Sequence, residues 1–205
     1  IGSGLVGSEM CIRDRYMDLG RVSWADDRGI RQSRLYAISA GIGFDALVCE
    51  LALHAKLKTF LNRIGLGKLV YLILTVKSMR ALQVQDAYIE FEGGESYELK
   101  DMVFAAAMNQ PYEGGGVPMA PDAKNDDGLL SVIFVEDIPK KKMPRMLLRL
   151  LLKKHKKIQG LRLKDTKSVR IHSDTPLVVH SDGEFCGYRT DIRFEAEKGK
   201  LRILC

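Results

Sequence analysis

The hydrophobic period of this chain changes near Gln85, and this change restricts the folds that it can form. Before that point, segments 45–62 and 66–82 show the three- and four-residue spacing of helices. After it, segment 87–92 alternates apolar and polar residues, and segment 102–108 is continuously apolar, as expected of a strand at the centre of a sheet. Because helices and strands occur in blocks, the pattern predicts an antiparallel, β-rich α+β domain and not a doubly wound parallel sheet.

The remaining elements follow from the same spacing rules. Further strands are predicted at 16–24, 34–40, 97–100, 129–135, 167–172, 176–180, 191–197 and 200–204, and one more helix at 141–156. Residues 1–15 fit neither pattern and resemble translated sequencing-adapter read-through, so we expect them to be an artefact outside a domain of residues 16–205.

Composition limits the class of protein. The chain is 46% hydrophobic and 28% charged, which is usual for a globular protein, and its net charge of +6 favours an anionic partner. No apolar run reaches the roughly 20 residues of a membrane-spanning helix, and no signal peptide is recognisable. The cysteines are scattered without zinc-site spacing, at Cys11, Cys49, Cys186 and Cys205. We therefore expect a cytoplasmic or peripheral protein.

The first motif is Gly-x-Gly-x-x-Ala at residues 41–46, between a predicted strand and a predicted helix. A dinucleotide site would need an acidic residue about 20 positions further on, at the end of a second strand. Arg63 stands there in a helical segment. A tight turn is therefore the better interpretation, with Asp45 near the helix N-terminus, where its negative charge is favourable.

The second motif is a loop over residues 109–130 with three successive glycines, Gly114, Gly115 and Gly116. Its carboxylates Asp122, Asp126 and Asp127 suit a hard cation such as magnesium or calcium. By itself, however, the spacing favours a solvated Asp-Asp-Gly turn over a metal site.

The third motif is Asp182-Gly183-Glu184, at the end of an apolar strand. Its two carboxylates could serve as a general base and a metal helper. Asp-Gly is also the commonest signal of a hairpin turn, and spacing alone favours that interpretation.

The fourth feature is a basic amphipathic segment without any acidic residue between Lys140 and Lys164. Its apolar side is predicted to carry Met143, Met146, Leu147, Leu150 and Leu151, and its cations recur at helical spacing, at Lys142, Arg145, Arg149, Lys153 and Lys156. Such a helix either packs on one side and is solvated on the other, or binds an anionic membrane surface. Nucleic acid is disfavoured, because aromatic residues for base stacking are missing.

Four segments in one order carry a family resemblance: Asp-Leu-Gly-Arg-Val at 18–22, residues 41–46, the glycine and aspartate loop up to Leu130, and Asp-Gly-Glu at 182–184. They resemble the bacterial diacylglycerol kinases, the YegS-like relatives of sphingosine and ceramide kinases. The resemblance spans about residues 17–204. It implies the β-sandwich-like C-terminal domain of a two-domain lipid kinase in the NAD kinase-like superfamily, with inserted helices.

The resemblance also implies roles for single residues. Glu184 matches the proton acceptor for the lipid hydroxyl, and Asp182 would support it. Asp127 matches a structural magnesium ligand, which the backbone carbonyls of Lys124 and Leu129 would join. Phe44 and Asp45 would lie near the lipid.

The implied cofactors are ATP and Mg²⁺, and the implied substrate is diacylglycerol or a similar lipid alcohol at the inner face of the cytoplasmic membrane. The Gly114–Gly116 loop would face an ATP-binding lobe that carries Gly-Gly-Asp-Gly-Thr, a sequence absent from these residues. We therefore expect the chain alone to be inactive. A homodimer is compatible with the resemblance, and a nucleic-acid partner is not expected. The alternative is a stand-alone module that binds anionic lipid without catalysis.

Overall fold

The computed structural model describes residues 15–26, 28–53, 75 and 77–203. Its strands are β1 (Arg15–Ala25), β2 (Arg31–Tyr36), β3 (Ser39–Gly43), β4 (Gln85–Phe91), β5 (Ser96–Met102), β6 (Phe104–Met108), β7 (Leu130–Val135), β8 (Leu161–Thr166), β9 (Ser168–Ser181) and β10 (Glu184–Ile203). Its α-helices are α1 (Phe44–Leu53) and α2 (Met143–Leu151), and residues 77–81 are also helical. Short 3₁₀ helices cover Gly114–Gly116, Lys140–Lys142 and His155–Lys157.

The strands form one antiparallel sheet that divides at the long strand β9. The main order is β2-β1-β10-β9-β3-β6-β7-β8, and β4 and β5 branch from it. The first part of β9, residues 169–173, pairs with β4, whereas its end, residues 179–181, pairs with β3. The sheet therefore has two leaves that can face each other, as in a β-sandwich.

A first hydrophobic core lies between the two leaves. Phe134 of β7 packs here against Phe91 of β4, with ring centroids 6.0 Å apart. Ile171 of β9 and Phe194 of β10 are buried in the same cluster. The period-two alternation of these strands accounts for this core, because every second side chain points between the leaves.

A second core lies on the outer side of β6 and β7, under α2. Phe104 and Ile133 contribute to it from the sheet, and Met143, Met146 and Leu150 from one face of α2. The alanines of β6 alternate between the two cores, with Ala105 and Ala107 in the first and Ala106 in the second. Burial on both faces explains why the β6 sequence is continuously apolar.

The β-rich antiparallel class predicted from sequence is confirmed, but several element boundaries are wrong. The single strand predicted at 34–40 is two strands, β2 and β3, which are separated by a bend at Ala37 and Ile38. The pairs of short strands predicted after residue 167 are instead the two long strands β9 and β10, because each continues through an irregularity in pairing. Strand β8 was not predicted.

The basic helix predicted at 141–156 is also too long. Helix α2 has nine residues, and Lys153 beyond its end has a positive φ of 55°. That left-handed conformation stops the helix, and Lys156 belongs to the following 3₁₀ turn. The five predicted membrane-facing cations therefore do not share one continuous helix. No helix within the described ranges is long and apolar enough to cross a membrane.

Some predictions fall outside the described residues. These are the assignment of residues 1–14, the parts of the predicted helices 45–62 and 66–82 that fall within residues 54–74, and the last two residues of the chain.

Candidate active site

The Asp182-Gly183-Glu184 motif forms the hairpin turn between β9 and β10. Ser181 pairs with Glu184 across it. Asp182 and Gly183 both have positive φ, 49° and 81°, as a tight two-residue hairpin turn requires. The hairpin interpretation of the sequence is therefore confirmed, and the turn places two carboxylates at one end of the hairpin.

The Asp182 carboxylate joins this turn to the bend between β2 and β3. It accepts hydrogen bonds from the backbone N–H groups of Ala37 at 2.8 Å, Ile38 at 2.9 Å and Ser39 at 3.1 Å. The Asp182 N–H in turn donates to the Ser39 carbonyl at 2.8 Å. An ionised carboxylate is a strong acceptor for such donors, so Asp182 fixes the position of both segments.

Glu184 lies beside the turn with 66% of its side chain exposed. Its Oε2 atom is 2.5 Å from Nη2 of Arg34 on β2. Exposed ion pairs contribute little to stability, because water competes for both charges. The carboxylate is therefore accessible from solvent and can exchange Arg34 for another partner.

A group of three titratable side chains, one buried and two partly buried, lies next to the turn. His180, at the end of β9, has no exposed side-chain surface, and its Nε2 atom is 3.0 Å from Oδ2 of Asp45 and 3.4 Å from Oε1 of Glu113. The Ser39 hydroxyl donates to the same Glu113 oxygen at 2.5 Å. The three side chains could together hold a metal ion, since their ligand atoms lie within 4.8 Å of one another.

Gly41 makes this cluster possible. A Cβ atom at position 41 would be 2.2 Å from Oδ2 of Asp45 and 2.9 Å from Nε2 of His180. A larger residue would displace the Asp45 carboxylate from the His180 ring, because contacts this short do not occur between unbonded atoms. The tight turn predicted within residues 41–46 is found at Gly43, whose φ of 86° joins β3 directly to α1, with Asp45 in the first turn of the helix. Gly41 itself lies within β3, where the absence of a side chain lets Asp45 and His180 approach each other closely.

The electrostatics of the cluster favour bound protons. Burial opposes a charge on the His180 ring, but the hydrogen-bonded carboxylate of Asp45 and the nearby carboxylates of Glu113 and Asp182 outweigh it and raise the pKa of His180 to about 9. Burial raises the pKa of Glu113 above its usual range. The cluster therefore holds protons that the same groups would release in water.

A cavity of about 350 Å³ adjoins the cluster and the turn. Its polar end includes Ser39, Asp45, Glu113 and Asp182. Apolar side chains line the rest, namely Ile38, Phe44, Val48, Phe104, Val117, Met119, Met146, Leu147 and Leu150. Phe44 and Asp45, which were assigned to the lipid from sequence, thus lie at this cavity. An apolar cavity with a few polar groups at one end suits an amphipathic ligand.

The loop around Gly114–Gly116, here called the glycine loop, closes one side of the cavity. Glu113 and Val117 exchange backbone hydrogen bonds of 2.9 and 2.8 Å around the 3₁₀ turn Gly114–Gly116. Gly114 lines the cavity. The loop therefore positions the Glu113 side chain as well as the cavity wall.

The part of the 109–130 loop that carries Asp122, Asp126 and Asp127, here called the aspartate loop, is separate from this cavity. Asp127 is exposed, and its Oδ1 atom accepts the Leu129 N–H at 3.0 Å. The loop is braced by Asp18, a buried residue of β1, whose carboxylate accepts the N–H groups of Gly128 at 2.6 Å and Gly199 at 2.7 Å. The magnesium role that the resemblance implies for Asp127, with the carbonyl oxygens of Lys124 and Leu129, stays a prediction.

Sequence reasoning missed the roles of His180, Glu113 and Asp18. Each stands inside or beside a motif that was recognised, but each acts through contacts between distant parts of the chain. Only the combination of an apolar strand with a terminal histidine, followed within four residues by Asp182 and Glu184, could have indicated a role for His180.

The β-sandwich-like fold, with two carboxylates on a hairpin turn beside an apolar cavity, defines a domain of the NAD kinase-like sandwich type. The sequence model described as "YegS C-terminal NAD kinase beta sandwich-like domain" matches residues 38–205. The chain belongs to this family, and the resemblance seen in its sequence is confirmed.

Comparison with individual proteins gives the same assignment. YtlR of Bacillus subtilis (strain 168), provisionally named a lipid kinase, is 28% identical over 189 residues, which cover 92% of this chain and 60% of YtlR. A diacylglycerol kinase of Mycobacterium tuberculosis (strain ATCC 25618 / H37Rv) is 25% identical over 82% of this chain and 50% of that protein. This chain thus spans about half the length of the curated relatives that it matches.

The fold is also found in solved structures. A crystal structure from Bacillus anthracis str. Sterne, provisionally named a diacylglycerol kinase, superposes with a TM-score of 0.62 at 18% identity, over 92% of this chain and 55% of that one. At this identity the likeness concerns the fold.

Proposed function

We propose that this chain is the lipid-side half of an ATP-dependent kinase that phosphorylates the hydroxyl of diacylglycerol or a similar lipid alcohol. The observation that carries the proposal is the hairpin turn with Asp182 and Glu184 beside an apolar cavity whose polar end lies at the same turn. The names of YtlR and of the mycobacterial relative support this reaction class.

In the proposed reaction, Glu184 accepts the proton of the lipid hydroxyl as the hydroxyl oxygen forms a bond to the γ-phosphorus of ATP. The bond from that phosphorus to the ADP oxygen breaks, and ADP leaves. Such phosphoryl transfer depends mostly on positioning and on stabilising charge. Asp182 positions Glu184, since its carboxylate fixes the turn to the Ala37–Ser39 backbone.

The cavity would hold the lipid with its hydroxyl near the polar end. The apolar side chains of Phe44, Phe104 and Leu150 would contact an acyl chain. Ser39 and the cluster of Asp45, Glu113 and His180 offer hydrogen-bonding groups for a glycerol backbone. The volume of about 350 Å³ is at the lower end of small-molecule sites, so we infer that it holds only part of the lipid.

Magnesium and ATP are part of the proposal. Asp127, with the carbonyl oxygens of Lys124 and Leu129, would hold a magnesium ion that braces the aspartate loop. ATP would be bound mainly by a part of the enzyme that corresponds to the other half of the relatives. Since the chain spans 50 to 60% of those relatives, we assign turnover to the complete enzyme and expect none from these residues alone.

A stand-alone lipid-binding module is the second candidate. The cations between Lys140 and Lys157 favour it, because within the described residues none of them takes part in an ion pair. This candidate predicts vesicle binding without phosphorylation by any longer form of the protein.

The test is phosphate transfer from labelled ATP to diacylglycerol in vesicles, with protein expressed from the complete genomic reading frame. Glu184→Gln should abolish transfer and leave the melting temperature unchanged, because the side chain is exposed. Glu98→Gln, an exposed glutamate on β5, is the matched control. Normal turnover by Glu184→Gln would refute the role of Glu184. A wild-type protein that phosphorylates no lipid alcohol would remove the kinase assignment.

A further inference from the structure

We propose that Leu148, Leu151 and Leu152 insert into the surface of an anionic bilayer and bring the cavity to the membrane. These leucines are 55%, 48% and 53% exposed. Sequence reasoning placed Leu151 on the packed side of the helix, so its exposure was unexpected. The inference rests on the proposed function only in taking the cavity as a lipid site.

Helix α2 connects the exposed leucines to the cavity. Leu147 lines the cavity, and Leu151 lies one turn further along the same side of the helix, since a turn has about 3.6 residues. Leu148 lies next to them on the helix, and Leu152 follows directly after the helix ends. The apolar surface thus continues from the cavity wall onto the outside of the protein, which is the path that a lipid leaving a bilayer would need.

Positive charge surrounds these leucines. Residues 140–157 contain nine lysine and arginine residues and no aspartate or glutamate. All except Arg149 are exposed. An anionic lipid surface attracts each such cation, and salt screens this attraction.

The segment after α2 is held in place by its own contacts. The buried ring of His155 is hydrogen-bonded through Nε2 to the Pro118 carbonyl at 2.8 Å. Arg149 donates to the Lys157 carbonyl at 2.6 Å. The leucines and lysines are therefore presented on a preformed surface, which reduces the entropy lost on binding.

The combination points to a bilayer and not to a protein partner. Exposed leucines next to cations that form no ion pair within the described part of the chain match an interface with acyl chains below and anionic headgroups around them. Three leucines form a much smaller apolar surface than the roughly 20 to 30 residues that each partner contributes to a stable protein interface. Binding should consequently have two components. Salt should weaken the component that comes from the cations, but it should not weaken the component that comes from the leucines.

The experiment is sedimentation of the 205-residue chain with vesicles of phosphatidylcholine, with or without 30% phosphatidylglycerol, at low and high salt. We expect the chain to bind anionic vesicles at low salt and to keep part of this binding at high salt. The triple variant Leu148→Ser, Leu151→Ser, Leu152→Ser should lower the partition coefficient at least tenfold and lose the salt-resistant part. The matched control changes three exposed leucines on strands, Leu35, Leu163 and Leu201, to serine and should bind like the wild type.

A second measurement follows insertion directly. Leu148→Trp should gain a blue-shifted fluorescence that brominated lipids quench, over the constant signal of the single native tryptophan, Trp24. Wild-type binding by a folded triple variant, absence of quenching, or no vesicle binding by the wild type would each overturn the inference. Leucine-dependent binding by a protein that lacks kinase activity would remove the proposed function and leave this inference standing.

Discussion

Nε2 of His180 lies 3.0 Å from Oδ2 of Asp45, which connects the end of β9 to the first turn of α1. The other ring nitrogen, Nδ1, is 3.3 Å from the Gly183 amide, which donates to it. This hydrogen bond requires a neutral ring, because a charged ring carries a proton on Nδ1 as well as on Nε2. Since the pKa of His180 is raised to about 9, the charged ring prevails at neutral pH, and the Gly183 N–H can donate to Nδ1 only once the ring loses its second proton at higher pH. The protonation state of His180 is therefore linked to the position of the turn that carries Glu184.

The first prediction is that stability falls as the pH rises through the titration of His180. The pKa of His180 is raised from 6.5 to about 9, so the folded state binds this proton more tightly than the unfolded state does. The stabilisation is complete below pH 6.5 and is lost as the pH rises towards 9, by up to about 3 kcal/mol at roughly 1.4 kcal/mol per pKa unit. The raised pKa of Glu113 acts in the same direction. Urea denaturation between pH 6 and pH 10 measures this loss.

Two variants separate His180 from other causes of alkaline destabilisation. His180→Gln should flatten the pH dependence between 6.5 and 9, and Asp45→Asn should reduce it, because Asp45 is the main carboxylate that favours the charged ring. His172→Gln, an exposed histidine on the same strand, should leave the wild-type slope. An unchanged slope in folded His180→Gln would show that this ring does not hold the proton.

The second prediction concerns the structural role of Asp182. Asp182→Ala removes the acceptor of three backbone N–H groups and places a β-carbon without polar compensation at a positive φ. Leaving such donors without a partner and straining the turn should cost about 2 to 4 kcal/mol in unfolding free energy. Asp182→Asn should cost less, because asparagine tolerates this conformation and keeps one acceptor oxygen.

Chemical denaturation measures both variants, with Asp174→Ala as the control. Asp174 is an exposed aspartate in the same strand. A loss of less than 0.5 kcal/mol for Asp182→Ala, the usual range for surface substitutions, would contradict the assigned role.

Local sequence pattern predicted the sheet because burial follows the strand period. The β4 sequence alternates between apolar and polar residues, and this predicts a strand with one buried face. The β6 sequence is apolar throughout, and this predicts a strand that is buried on both faces. The pattern could not predict the bend at Ala37 and Ile38, whose cause is the carboxylate of Asp182, more than 140 positions away in sequence. Long-range hydrogen bonds of this kind leave no periodic signal.

The site was predictable only where a family motif marked it. Glu184 and Asp127 were assigned by resemblance, and their roles stay predictions. His180 and Asp18 are buried polar groups and Glu113 is partly buried, and the local sequence around such a group does not reveal its partner. Burial of such groups requires hydrogen bonds, but several partners satisfy that requirement equally well until the fold is known.

The third prediction is that magnesium stabilises the protein through Asp127. Asp127 is exposed and can bind a cation from solution, whereas buried Asp18 already accepts the Gly128 and Gly199 N–H groups. Magnesium at about 100 times its dissociation constant should add about 2.7 kcal/mol to the unfolding free energy, seen as a rise in melting temperature. Calcium serves as a second probe, because it accepts similar oxygen ligands with looser geometry.

Asp127→Asn should abolish the magnesium-dependent rise, since the amide oxygen is a weaker ligand for a hard cation than a carboxylate. Asp126→Asn is the matched control, because Asp126 is its exposed neighbour in the same loop and should leave the rise intact. Equal losses in both variants would indicate a nonspecific effect of loop charge. The magnesium-dependent rise in melting temperature could instead persist in Asp127→Asn and disappear in Asp45→Asn. That result would assign the magnesium site to the cluster of Asp45, Glu113 and His180, where three ligand atoms already converge.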